Sequence, residues 1–202
     1  MRTLGLHSLK WVASHSSNNG PGAWLNHHAD FGRIFLDGDS AGANIVHNLA
    51  MRAGNQEAGL GLSLTGAVLV QPCFWGSDPI GSELVHREEK EIVNKRVMDR
   101  LWSLACPSNQ DNDDPRINPM AEGAPSLARL GCRRVLVFVG EKDILRDRGW
   151  LYYKALDRSG WTGRVDIEEF EGEGHGFHVL NFGSEKARHL IKQLADFFNM
   201  SP

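Results

Sequence analysis

Ser40 stands between two glycines, each two residues away, in Gly38-Asp39-Ser40-Ala41-Gly42. A serine hydroxyl is a weak nucleophile until a base takes its proton, and an imidazole oriented by a carboxylate suits that task. Two later stretches offer those groups. His175 lies in Gly174-His175-Gly176, where flanking glycines let the backbone bend sharply and present the ring. Asp143 closes Gly140-Glu141-Lys142-Asp143 just after an apolar run. His178 is the alternative base and Asp147, one helical turn further on, the alternative acid, each read as a supporting or packing residue. Asp39 adjoins the serine and is not placed to hold the far ring nitrogen. The order serine, acid, histidine is unlike that of the chymotrypsin or subtilisin types.

Such groups work only if rigid elements bring them together. Ile34, Phe35 and Leu36 form a run of strand length before the serine, and Ile45, Val46, Leu49 and Met51 recur at helical spacing until Gly54. Strand, sharp turn and helix place Ser40 at the apex of the turn. Side chains at positions 38 and 42 are expected to clash there, which accounts for Gly38 and Gly42. The Ala41 amide opens the helix, where unpaired N–H groups can stabilise a developing oxyanion.

The other strands predicted are the apolar run Ala67 to Val70, Arg134 to Val139 with its apolar interior, and Val165 to Phe170. Helical patterns separate them, through Trp150, Leu151, Ala155 and Leu156, and through Ala187, Leu190, Ile191, Leu194 and Phe197. Alternation of this kind predicts an α/β fold, a mostly parallel sheet with helices on both faces. Ser40, Asp143 and His175 then fall at carboxyl ends of strands, where such sheets carry their functional groups.

Before the serine, Leu9, Trp11 and Val12 mark one face of a helix, Ser14 to Gly22 reads as a surface loop, and His27 and His28 as loop histidines. Phe74 and Trp75 read as core packing rather than pocket lining. From Glu83 to Cys106 the spacing of Val93, Val97, Leu101 and Leu104 predicts a helical segment with one buried stripe, which would contribute to a cap. Residues 107–123 read as a solvated loop, since Asp111-Asn112-Asp113-Asp114 lacks calcium-hand spacing.

With 202 residues, 41% of them hydrophobic and 23% charged, the chain suits a single domain, residues 1–202, with one core. A net charge of −3 gives no reason to invoke nucleic acid. No run is long enough to span a bilayer, and the first residues lack the apolar centre of a secretory signal. Cys73, Cys106 and Cys132 are too scattered for a disulfide framework or a zinc site, which favours a reducing compartment such as the cytoplasm.

The Gly38–Gly42 motif, Asp143, the Gly174–His178 stretch and the segments WVASH, WLNHHADFGRIFLDGDSAGANIVHNLA and DDPRINP together resemble the plant carboxylesterases of the hormone-sensitive-lipase-like α/β-hydrolases. The resemblance implies hydrolysis of short or medium acyl esters without metal or organic cofactor. Ser40 would be the nucleophile, His175 the base and then acid, and Asp143 its partner. Hormone receptors of the same group lack the catalytic histidine, and dehydratase relatives carry threonine at the nucleophile, so His175 and Ser40 favour the enzymes that cleave esters. Those relatives also bring an upstream His-Gly-Gly loop to the oxyanion hole, and no such triplet occurs in this sequence.

Counting strands against that pattern, the chain starts at the helix before the nucleophile strand, without the N-terminal strands. The expectation is therefore a truncated hydrolase with weakened or lost activity, and an unpaired edge on the nucleophile strand that favours self-association. The competing expectation is a non-catalytic protein that holds a small hydrophobic ligand in the same pocket.

Overall fold

The structure is a computed structural model that describes residues 2–55, 62–85 and 93–200. Its helices are α1 (Arg2–Ala13), α2 (Ala23–His28), α3 (Ala41–Ala53), α4 (Ser82–Val85), α5 (Lys95–Ala105), α6 (Arg146–Arg158), α7 (Phe177–Leu180) and α8 (Glu185–Asn199). Strands β1 (Ile34–Asp39), β2 (Leu64–Val70), β3 (Cys132–Gly140) and β4 (Arg164–Phe170) form one sheet in the order β1-β2-β3-β4. Every neighbouring pair is parallel, as the alternation of strands and helices predicts. Among the described residues no helix is long and apolar enough to cross a membrane.

Side chains alternate across a strand, and this divides the core in two. On one face Ala67 and Leu69 of β2 and Val135, Val137 and Val139 of β3 meet Ala43, Val46 and Ala50 of α3 and Tyr152 and Leu156 of α6. On the other, Val68, Val70, Leu136 and Phe138 pack against Leu190 and Phe197 of α8. Burial on both faces is why β2 is a continuous apolar run. The register sets Asp39 opposite Val70 and Gly140 opposite Phe170, so β1 and β2 end level, β3 and β4 end together two residues further on, and the following turns share one rim.

Several expectations need correction. Val97 and Leu104 are exposed, whereas Met98 and Trp102 are buried, so the inward stripe of α5 is turned by about one residue from the predicted one. Asn94 caps the helix by accepting from the Val97 amide, which leaves Val93 outside it, and the bulk of Trp102 draws the adjacent face inward. Of the predicted helical segment, residues 86–92 lie outside the described residues.

His27 and His28 sit on the short helix α2, exposed, rather than in a loop. Trp11 is exposed, while His15, assigned to a surface loop, is fully buried. Its ring bridges the Trp11 carbonyl at Nδ1 (2.8 Å) and the Gly22 amide at Nε2 (2.8 Å), replacing water as their partner.

The acidic loop is not simply solvated. Asp114 is buried and accepts from Arg116 Nε at 2.7 Å, and Asp113 accepts from the Ser77 amide and Asn118. The Arg116 carbonyl in turn accepts from Asn44 and Asn48, which fastens the loop to the helix behind the serine.

Candidate active site

Ser40 is the residue at which β1 must become α3. It has φ 54° and ψ −112°, a region that side chains seldom enter, and its backbone is held from both sides. Its amide donates to the Val70 carbonyl at 2.8 Å, and its carbonyl accepts from the Cys73 amide at 3.0 Å. The turn so fixed points the hydroxyl off the rim of the sheet.

Gly38 is required by this turn, because a Cβ there would run into the backbone of Gly42 and Ala43. Gly42 differs from expectation: a Cβ on it would meet nothing within 4 Å. The crowding is one-sided, since Gly38 faces the Gly42 backbone while Gly42 faces open space.

The structure brings Ser40, His175 and Asp143 together. His175 Nε2 lies 2.9 Å from Ser40 Oγ, and Nδ1 lies 2.7 Å from Asp143 Oδ2. A carboxylate only accepts, so it selects the tautomer protonated at Nδ1 and leaves Nε2 free to take the serine proton. Asp143 is itself buried and oriented by the Leu145 amide, which donates to Oδ1 at 3.0 Å. Burial disfavours charge on His175. The hydrogen bond to Asp143, that residue's charge and the charge of Asp39 outweigh it, so the ring titrates above the ordinary imidazole value.

The alternatives are engaged elsewhere. Asp147 accepts from the Ser82 amide at 2.5 Å and so ties α6 to α4, which Glu83 and Arg148 reinforce through a buried ion pair at 2.6 Å. His178 Nε2 pairs with Asp39 at 3.2 Å, which braces the histidine turn against the residue before the nucleophile. Ala41 is exposed at the first turn of α3, with an amide that has no carbonyl one turn earlier in the helix to bond. Phe74 and Trp75 are core residues, less than 2% exposed. Cys73 and Cys132 are buried, and burial pushes both thiols up to about 12, so neither offers a thiolate.

Sequence reasoning missed Gln71. It directly follows β2, is buried, and has φ 45°, a second non-glycine residue on the rim in the left-handed region. Its side chain spans the histidine turn, with Nε2 donating to the Gly174 carbonyl at 2.9 Å and Oε1 accepting from the Gly176 amide at 2.7 Å. A buried polar residue at a strand's carboxyl end was the available signal, but its partners lie more than a hundred residues away.

An all-parallel sheet with a serine at a strained strand-to-helix turn and an acid and histidine at later strand ends is the arrangement of the α/β-hydrolases. Residues 4–179 match the family described as alpha/beta hydrolase fold, and the chain belongs to it. It is 43% identical over 198 residues to 2-hydroxyisoflavanone dehydratase of Glycyrrhiza echinata, covering 96% of this chain and 59% of that protein. It is also 43% identical over 176 residues to probable carboxylesterase 2 of Arabidopsis thaliana, covering 87% of this chain and 54% of that one. Among solved structures, the carboxylesterase EstE1 from a metagenomic library superposes with a TM-score of 0.76 at 25% identity, over 96% of this chain and 60% of its own. The chain thus spans about three-fifths of the length of such relatives.

Proposed function

We propose that this chain is a serine carboxylester hydrolase acting on short or medium acyl esters. The observation that carries the reading is the single imidazole, His175, within hydrogen-bond reach of both Ser40 Oγ (2.9 Å) and Asp143 Oδ2 (2.7 Å). In the proposed reaction Ser40 Oγ attacks the ester carbonyl carbon as His175 Nε2 takes its proton, and the imidazolium is stabilised by Asp143. The tetrahedral oxyanion lies against the Ala41 amide, and collapse expels the alcohol, which takes the proton back from His175. Water, deprotonated by the same nitrogen, then releases the acid from the acyl-serine and restores Ser40.

Among the described residues Ala41 supplies the one amide identified for the oxyanion, and loss of a single such donor typically slows these reactions by about 10²–10³. That amide is therefore part of the proposal. Self-association through the β1 edge, and a reducing location such as the cytoplasm suited to the unpaired cysteines, complete it. The name of the Glycyrrhiza echinata relative points to dehydration instead; a serine at position 40, where the resemblance gives dehydratases threonine, favours the esterase.

The test is hydrolysis of p-nitrophenyl butyrate beside Ser40→Ala, with circular dichroism on both. The expected result is turnover, and labelling by a fluorophosphonate, in the parent only. Equal background rates from two folded proteins, with no labelling, would support a non-catalytic ligand-binding protein.

A further inference from the structure

Beyond the pair of His178 with Asp39 at the end of β1, the ends of β2, β3 and β4 hold the turn that carries His175. From β3, the Lys142 amide donates to the Glu173 carbonyl at 2.9 Å, and Gly140 leaves room for the turn, since a Cβ there would lie 2.6 Å from that carbonyl. From β4, the Phe170 carbonyl accepts from the Glu141 amide at 3.0 Å, joining the root of the turn to β3. These contacts fix the turn before His175. Among the described residues only the Gln71 side chain, from the end of β2, bonds the backbone on both sides of the histidine, reaching the carbonyl of Gly174 and the amide of Gly176.

We propose that Gln71 is a positioning residue for His175, a claim that rests on the hydrolase reading for its catalytic consequence. Its two hydrogen bonds have opposite polarity: the Gly174 carbonyl needs a donor and the Gly176 amide an acceptor. A primary amide supplies both from one planar group; a carboxylate or an alkyl chain of the same length cannot. The backbone at Gln71 is fixed as well, because its amide donates to the Phe138 carbonyl at 2.8 Å, while two residues later the Cys73 amide holds the Ser40 carbonyl. One short segment, Gln71 to Cys73, thereby grips the nucleophile's turn with its backbone and the base's turn with its side chain. It sets the distance between Ser40 Oγ and His175 Nε2. Substrate need not touch it.

The experiment uses Gln71→Glu, which keeps length but replaces the donor, and Gln71→Asn, which keeps the amide and tolerates a positive φ but is one methylene too short. Each is measured for kcat and KM on p-nitrophenyl butyrate. Each is also examined for the far-downfield proton resonance of His175 Nδ1–H bonded to Asp143, assigned by its loss in His175→Ala. The expected result is a fall in kcat of about 10- to 100-fold with KM within about two-fold, and a lost or exchange-broadened resonance, in proteins whose circular dichroism matches the parent. A kcat within about two-fold of the parent, or a resonance retained in a folded variant, overturns the proposal. Should the parent neither turn over ester nor label with fluorophosphonate, the hydrolase reading fails by itself. The resonance alone then decides whether Gln71 holds the ring, and its absence from the parent also counts against the proposal.

Discussion

The two sides of Ser40 are built to different standards. On the base side, β2, β3 and β4 each contribute a partner to the histidine turn, Asp143 is buried with both carboxylate oxygens bonded, and the ring is engaged at both nitrogens. On the acyl side, Ala41 is exposed and a side chain at Gly42 would meet nothing within 4 Å. The contrast separates the hydrogen-bonded ring of His175, which the ends of β2, β3 and β4 hold, from the open start of α3. In the proposed reaction, activation of Ser40 and stabilisation of the oxyanion would therefore depend on different parts of the structure.

The sharpest way to break that contrast is to damage the base side. Asp143→Asn is expected to reduce kcat by about 10⁴, because the amide presents the wrong tautomeric partner to His175. Turnover needs the neutral ring, so kcat/KM of the parent falls as pH drops through a His175 pKa above the ordinary value. In the variant burial is opposed only by the charge of Asp39, and the acid limb of the profile moves to lower pH. An unmoved acid limb would show that Asp143 does not govern the titration.

Next in size is a pair at the turn. Gly38→Ala is expected to cost about 1–3 kcal/mol in urea unfolding, since its Cβ must displace the backbone of Gly42. Gly42→Ala should be neutral or stabilising by up to about 1 kcal/mol, alanine being the better helix former in open space. Equal losses in both would return the turn to the symmetric crowding that its sequence suggests.

A further effect lies behind the site. His47 is buried against Tyr152 Oη (3.1 Å), and burial lowers it to about 3. Between pH 6.5 and about 3 the unfolded chain takes up a proton at this residue that the folded chain refuses, so stability falls as the pH falls. The slope is at most about 1.4 kcal/mol per pH unit. His175, raised instead of lowered, acts oppositely: its contribution is full below the unfolded value and fades as the pH rises through the folded one. His47→Gln, which keeps a partner for Tyr152, should flatten the acid slope in urea titrations read against pH.

What could be read from the sequence followed the range of the interaction that fixes it. The parallel sheet is written locally, in apolar runs such as Ala67 to Val70 that need burial on both faces. Ser40, Asp143 and His175 could be singled out because each follows a strand and two of them are bracketed by glycines, although nothing in the spelling gives a distance. Gln71 was illegible because its worth lies in a contact 103 residues along the chain, and an isolated glutamine carries no sign of its partner. The inward face of α5 was misjudged by one position because periodicity weighs Val97 and Met98 alike, whereas the neighbouring cluster of Trp75, Ile117 and Ile144 accepts the longer side chain. His15 and Asp114 look like surface residues by type, and only buried backbone groups in need of partners explain their position.

The hydrogen bond from Ser40 to His175 closes a loop of 135 residues. Contacts of that separation are the last to repay the entropy of chain closure, so the Ser40–His175 pair is assembled only when β1 through β4 have all docked. In a refolding reaction helical signal would return well before serine reactivity. A fluorophosphonate added during refolding would therefore act as a clock for the completed sheet, and would pass over partly folded chains in which every helix is already formed.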